Sequence, residues 1–313
     1  MNRRSFLRST AAAGAGLVLS PSVAPLAGDD SGGDINIALI GAGTQGEVLV
    51  NACVKTAADS GIRFAAVCDI WEDLNLKRVA GLLSRYGHEA RSYVDCREML
   101  EQEKDLHVVL IATPDFCHAE QAVACLEAGL HVYCEAPMSN TIDGARRMVQ
   151  AARERGRLLQ IGQQRRSNPR YRHCRTQLLE MAGLLGRLTA VNAMWHHPAR
   201  ADRGWSKRWA LDEATLARYG YASMHQFKNW MWYKGLGSGP VVDLGVHQID
   251  VINWFLGGPP KTITARGGTY YYEAKTHEWP DTAMAILEYE TDKGVVAVSY
   301  EVLCTNGYGG HAE

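Results

Sequence analysis

From Ile35 onward, short apolar runs alternate with stretches of helical period. Ile35–Ile40, Phe64–Cys68, Asp105–Ala112, Leu130–Cys134 and Leu158–Ile161 are rich in Val, Ile and Leu and bounded by Gly, Asp or Pro, which predicts strands buried on both faces. Between them, Cys117–Ala128 has an apolar stripe at helical spacing that closes on Gly129, and Asn140–Arg155 repeats the pattern before Gly156. Strands and helices alternating in this way predict βαβ units and a doubly wound parallel sheet. The pattern changes after Gln163. Leu188–Trp195, Thr262–Tyr272, Thr282–Glu290 and Gly294–Leu303 are longer and richer in Thr, Tyr and Val, with a hairpin turn at Thr291-Asp292-Lys293-Gly294. They predict a second, α/β domain with a mostly antiparallel open sheet. The expected division is 1–33, a leader and linker; 34–162, the parallel domain; and 163–313, the second domain. The last of these stops directly after a strong strand, as a piece of a longer protein would.

The first strand runs straight into Gly41, Gly43 and Gly46, in the order G-x-G-x-x-G. Each glycine has a mechanical task. Gly41 permits the tight turn, Gly43 lets backbone approach a pyrophosphate, and Gly46 lets the next helix pack on its strand. The second strand ends at Asp69, 23 positions after Gly46, where a carboxylate accepts hydrogen bonds from both ribose hydroxyls and repels a 2′-phosphate. A Rossmann domain holding NAD, favoured over NADP, is the expectation, with Gly41, Gly43, Thr44, Gln45, Gly46 and Asp69 at the cofactor.

Length and charge narrow the partners. With 313 residues and 46% hydrophobic content, two cores are affordable, while a net charge of −1 gives no basic surplus for nucleic acid. The start, Asn2-Arg3-Arg4-Ser5-Phe6-Leu7-Arg8, is followed by a mildly apolar run too short to span a bilayer, which needs about 20 residues. It resembles a twin-arginine export signal, so an export translocase is an expected partner, the periplasm or another exported location the expected destination, and stable membrane insertion is not expected. A disordered basic tail is the alternative. Eight scattered cysteines without C-x-x-C spacing read as small core residues.

Three further segments point to a family. Ala112-Thr113-Pro114-Asp115 with His118 ends one strand, Glu135-Ala136-Pro137 ends the next, and Asp243-Leu244-Gly245-Val246-His247-Gln248-Ile249-Asp250 opens a helix. With the glycine turn, they resemble the glucose–fructose oxidoreductase / inositol dehydrogenase family, Gfo/Idh/MocA. The resemblance implies hydride transfer between the nicotinamide and a carbinol of a sugar, polyol or glycoside bound between the domains, and an open sheet that builds a homo-oligomer. It adds Thr113, Pro114, His118 and Glu135 to the cofactor set. His247 matches the family's catalytic histidine and Asp243 the acid that contacts substrate or orients the ring; both enter the substrate set. Histidine suits proton removal because its ordinary pKa is near 6.5. A helix beginning near Asp243 would carry Asp243, His247 and Asp250 close to one face. The alternative is an N-cap at Asp243 and a buried histidine; no cluster with metal-ligand spacing is present. Arg166 and Asn168 match the family's substrate-contacting segment, against a solvated basic helix start. Trp195, Trp205, Trp209, Trp230 and Trp232 offer a sugar-stacking platform or core packing.

Where the family has Glu-Lys-Pro, this chain has Glu135-Ala136-Pro137. The lysine that lowers the alcohol's pKa is missing, so His247 and Asp243 are left to carry the proton alone. Export adds that a cofactor bound in the cytoplasm is regenerated in place, by oxidising one sugar and reducing another or by transient oxidation. The reading from another class is a non-catalytic nucleotide- and sugar-binding protein, or an inactivated enzyme, which Ala136 explains directly.

Overall fold

The computed structural model describes residues 34–307 and 309–312, so the leader expected over 1–33 lies outside the described residues. β1 (Ile35–Ile40), β2 (Ile62–Cys68), β3 (Arg91–Tyr93), β4 (Val108–Ile111), β5 (His131–Glu135) and β6 (Leu159–Gly162) form one sheet in the order β3-β2-β1-β4-β5-β6. All its pairings are parallel. Because both faces are covered, Ile37, Ala38, Leu39 and Ile40 are all buried without alternation. One face packs around Val109, Ile111, Leu126 and Met148, the other around Leu39, Phe64, Val79 and Leu83. Chain order reverses between β1 and β4, which opens a crevice at their carboxyl ends. The helix Ile142–Arg155 starts two residues later than expected, because Thr141 Oγ1 caps it by accepting from Gly144 N at 3.0 Å, and it ends at Gly156 with φ +59°.

The second sheet has the order β11-β7-β10-β9-β8, from β7 (Ala190–Pro198), β8 (Thr262–Gly268), β9 (Thr282–Thr291), β10 (Gly294–Asn306) and β11 (His311–Ala312). β7 and β10 run parallel and the other pairs antiparallel. One face packs Leu287, Tyr289, Val298, Tyr300 and Val302 on the Val246–Leu256 helix, while the other exposes Met284, Ile286 and Val295. β8 stops at Gly268 rather than Tyr272. Asp281, fully buried, draws the chain out of the sheet by accepting from the backbone N–H groups of Tyr270, Tyr271 and Tyr272 at 2.9–3.2 Å.

Between β7 and β8 the chain crosses to the carboxyl edge of the first sheet. Trp71, Tyr221, Met224, Tyr233 and Leu236 form a buried cluster there with Phe116 and Phe227, and Trp71 Nε1 donates to the Trp209 carbonyl at 2.6 Å. Fully burying one such side chain is worth about 1.5–3 kcal/mol, so this cluster fixes the second sheet against the nucleotide crevice. Arg218 pairs with Asp95 at 2.9 Å beside it. All eight cysteines are free, four of them buried; Cys174 is exposed, so the core reading fails for it.

Candidate active site

The glycine turn is built by exclusion. A Cβ on Gly41, which has φ +94°, would lie 2.6 Å from the Ala112 carbonyl, and one on Gly46 would lie 1.9 Å from the Gly41 oxygen. Gly43 differs: a Cβ there meets nothing nearer than Asn75 Nδ2 at 3.9 Å. Open space therefore stands over the start of the Thr44–Val54 helix. That helix has no side-chain cap, and its first ladder bond is Glu47 N to Gly43 O at 3.0 Å, so earlier N–H groups have no intrahelical partner. A diphosphate fits such a cradle. Thr44 and Gln45 are exposed at it.

Asp69 braces the same turn. Its Oδ2 accepts from Ala42 N at 2.7 Å and its Oδ1 from Trp71 N at 2.7 Å. Burial pushes the carboxyl up to about 6 against the pull of those two donors. Oδ2 also takes a longer bond from Asn75 Nδ2 at 3.4 Å, so Oδ1, with one donor, is the oxygen that retains a lone pair for a ribose hydroxyl. Gln45 Nε2 donates to Glu135 Oε1 at 2.8 Å, which ties the helix start to the end of β5.

The loops after β4 and β5 are joined by His118. Its Nε2 lies 2.9 Å from the Thr113 carbonyl and its Nδ1 2.7 Å from the Pro137 carbonyl, and the residue is 2% exposed. With both ring nitrogens engaged, His118 is a strut and offers no polar atom to a cofactor, which corrects its expected direct role. Thr113 Oγ1 is likewise spent on Gln121 at 2.6 Å, and Pro114 precedes the Asp115–Glu127 helix as its cap residue.

Asp115 was quoted in the motif but given no task by sequence. It is 1% exposed; Oδ2 accepts from Ser238 Oγ at 2.6 Å and Ser238 N at 3.1 Å, and Oδ1 is buried with no partner. Ser238 precedes a short helix, Gly239–Asp243. The single helix expected from Asp243 is thus two helices, the second being Val246–Leu256 with Gly245 at its cap. Gly245 packs so closely that a Cβ would lie 2.1 Å from the Val241 oxygen and 2.4 Å from the Tyr300 hydroxyl. In consequence Asp243 is neither an N-cap nor on one helical face with His247 and Asp250.

What each then touches is different. Asp243 lines a cavity of about 130 Å³ together with Arg203, Trp232 and Tyr272. Burial, reinforced by Asp115, pushes its carboxyl up to about 6, with Arg203 opposing. His247 faces the Gln164–Ser167 turn: its Nε2 is 3.2 Å from the Gln164 amide, its Nδ1 is buried without a partner, and its ring lies against Trp195 at 5.5 Å. Burial first, then Arg165, holds its pKa below the ordinary value, so the ring is neutral at pH 7. Asp250 is taken by Arg166 in a fork at 2.8–3.0 Å. Asn168 caps the Pro169–His173 helix, accepting from Arg170 N at 2.9 Å. Both substrate-set residues thus have internal partners, and the basic-helix-start alternative describes them better. Of the tryptophans, Trp195 supports His247, Trp209, Trp230 and Trp232 pack inside, and Trp205 is 38% exposed.

Residues 35–163 match the family described as "Oxidoreductase family, NAD-binding Rossmann fold", and residues 213–310 match the GFO/IDH/MocA C-terminal domain. Inositol 2-dehydrogenase 2 of Saccharopolyspora erythraea is 30% identical over 276 residues, 88% of this chain and 68% of that protein. The chain belongs to the Gfo/Idh/MocA family. It is an NAD-binding oxidoreductase of that family. D-glucoside 3-dehydrogenase of Escherichia coli is 28% identical over 258 residues, 80% of this chain and 64% of that protein. Among solved structures, the WlbA dehydrogenase from Bordetella pertussis, in complex with NADH and UDP-GlcNAcA, superposes with a TM-score of 0.69 over 88% of this chain and 72% of its own. At 21% identity that likeness is one of fold. The second sheet of this Gfo/Idh/MocA chain, with one parallel pair among antiparallel ones, agrees with the predicted fold class.

Proposed function

We propose that the chain oxidises or reduces a carbinol of a sugar, polyol or glycoside, with Asp243 and His247 carrying the proton in place of the missing lysine. Asp243 is the observation that carries this reading. A buried carboxylate that accepts no hydrogen bond from the described residues and lines a cavity is costly to keep unless it takes a proton or a hydroxyl. The names of the relatives, an inositol and a glucoside dehydrogenase, support a polyol or sugar as the substrate. NAD, when bound, supplies the two-electron acceptor. Gly43, Thr44, Gln45 and Gly46 offer backbone donors to its diphosphate, Asp69 takes the ribose, and the Thr113–Pro114 and Glu135 loops flank the remaining half, braced by His118.

His247 receives a hydroxyl proton at Nε2, because Nδ1 is sealed inside the protein. Gln164 occupies Nε2 and must swing aside before the ring takes the proton. Asp243 is a second acceptor, mostly ionised at pH 7 yet easily protonated. Arg3 and Arg4 support export with the cofactor already bound and recycled in place, and the apolar open face of Met284, Ile286 and Val295 supports a homo-oligomer. Ala136 favours the second reading, a binding protein that has lost turnover.

Purified full-length protein, followed by nicotinamide absorbance while sugars and glycosides are added, separates the two. Reduction of bound cofactor by one of them, lost in His247→Ala and in Asp243→Asn, supports the oxidoreductase. Binding of NAD and sugar without any reduction supports the second reading, and undiminished turnover in His247→Ala would falsify the base assignment.

A further inference from the structure

Residues 200–208 read RADRGWSKR, four cations against one carboxylate, in a chain whose net charge is −1. The segment is exposed, yet it is pinned at three points. Tyr272 holds Arg200, its hydroxyl accepting from the Arg200 N–H at 2.8 Å and donating to the Arg200 carbonyl at 3.1 Å. Asn229, 2% exposed, holds Arg203 in the same two-sided way, at 2.7 Å to its N–H and 3.2 Å to its carbonyl. Between them, the single carboxylate, Asp202, is consumed by two histidines, His225 Nε2 at 2.8 Å and His277 Nε2 at 3.3 Å.

So much fixation of a surface loop leaves its two arginines in a defined place. Both line the cavity that contains Asp243, and neither guanidinium has a carboxylate partner among the described residues. Arg203 stands close enough to Asp243 to favour its ionised form, and His197, on the same wall, is held neutral by burial and then by Arg200 and Arg203. Two guanidiniums without a carboxylate partner among the described residues, carried on a pinned backbone in the wall of the cavity that Asp243 lines, make a receptor for an anion. The cavity, about 130 Å³ against about 30 Å³ for a water molecule, admits a carboxylate or phosphate with the carbon that bears it.

We infer, resting on the oxidoreductase reading of the same cavity, that the substrate is an acidic sugar whose carboxylate or phosphate is bound by Arg200 and Arg203. Arg203, the nearer to Asp243 electrostatically, sets this specificity, and Arg200 adds a second cation to the same cavity wall. A charge-assisted pair of this kind contributes roughly 1.5–3 kcal/mol, a preference of roughly ten- to a hundredfold for the charged over the neutral sugar.

The test uses the full chain with its cofactor and four probes: glucuronate, glucose 1-phosphate, glucose and myo-inositol. Affinity is read by tryptophan fluorescence, since Trp232 lines the cavity, and nicotinamide reduction is read in parallel. Tighter binding of glucuronate than of glucose, falling at least tenfold in Arg203→Gln and partly recovered in Arg203→Lys, supports the site and assigns the carboxylate. The same behaviour with glucose 1-phosphate instead assigns the phosphate. Lys207→Gln, on the same loop but outside the cavity, separates a local receptor from general attraction, and an equal loss there overturns the inference. Equal affinity for charged and neutral sugars, or no binding of either charged probe, also overturns it. Arginine-dependent binding with no nicotinamide reduction leaves the anion site standing and removes the oxidoreductase reading.

Discussion

Replacing Gly43 by alanine separates folding from cofactor binding. The residue has φ −70° and ψ −163°, extended backbone open to any side chain. Its new methyl meets only Asn75 Nδ2 at 3.9 Å. Reduced freedom of the unfolded chain favours alanine by about 0.4–1 kcal/mol, and its poorer capping takes back a similar amount, so stability moves by less than about 1 kcal/mol. The diphosphate has no such tolerance, because the methyl fills the approach to the uncapped N–H groups. Losing one charge-assisted bond there costs roughly 1.5–3 kcal/mol, a tenfold or greater loss of affinity. Gly46→Ala is the contrast: its Cβ would sit 1.9 Å from the Gly41 oxygen and 3.3 Å from Leu39 Cδ2, and overpacking of that kind costs about 1–3 kcal/mol in folding itself. Thermal melts of both variants, with calorimetric NAD titration of the first, make the comparison. Unchanged NAD affinity in Gly43→Ala would refute a diphosphate over this turn, and a melt as depressed as that of Gly46→Ala would refute the open space.

Asp243→Asn is expected to abolish turnover and yet stabilise the protein at alkaline pH. Moving a carboxyl from 3.8 to about 6 means that ionising it costs the folded state about 3 kcal/mol; wild type therefore has this stability below pH 4 and loses it as pH rises through 6. Denaturant melts should show the variant ahead by about 2–3 kcal/mol at pH 8 and level at pH 4, whereas a constant difference excludes a buried charge. Asp69→Ala orphans the N–H groups of Ala42 and Trp71, so a stability loss of about 1–3 kcal/mol is expected alongside weakened NAD binding; loss of NAD with an unchanged melt denies the bracing role. Ala136→Lys should move the acid limb of the pH–rate profile downward, and an unshifted limb places residue 136 away from Asp243.

Local constraint was legible in the sequence and distant pairing was not. The turn at Gly41–Gly46 was readable because φ and close approach act on the residues that show them. Strand cores were readable because burial on both faces leaves unbroken apolar runs, while β3, three residues long, is too short to leave a pattern. Asp243-Leu244-Gly245-Val246-His247 looked like one helix because nothing nearby announces that Tyr300, 55 positions later, crowds Gly245 and breaks it. The glycine itself was the available signal. Arg166 and Asp250 were both singled out, but their mutual fork spans 84 positions and no periodicity encodes it. The same holds for Asp202, His225 and His277, three unremarked residues until the fold brought them together.

The raised carboxyl of Asp243 is a state that a nearby lysine would abolish. A fixed cation about 6 Å from a carboxylate, at an effective dielectric of about 20, stabilises its charge by about 3 kcal/mol. That is the size of the penalty now carried by Asp243, so a lysine at such a distance would return the acid to its ordinary range and leave it a poor proton acceptor near neutrality. As the site stands, burial and the neighbouring Asp115 set the value against Arg203, and Asp115 does so from an anchored position, since Ser238 holds it with two hydrogen bonds at the head of the helix that ends in Asp243. The cofactor loop after β4 and the acid in the cavity are therefore mechanically joined as well as electrostatically coupled. Loss of the lysine, taken alone, argues for lost turnover; the proposed role of Asp243 as proton acceptor rests instead on a carboxyl whose affinity for a proton is raised by burial and Asp115.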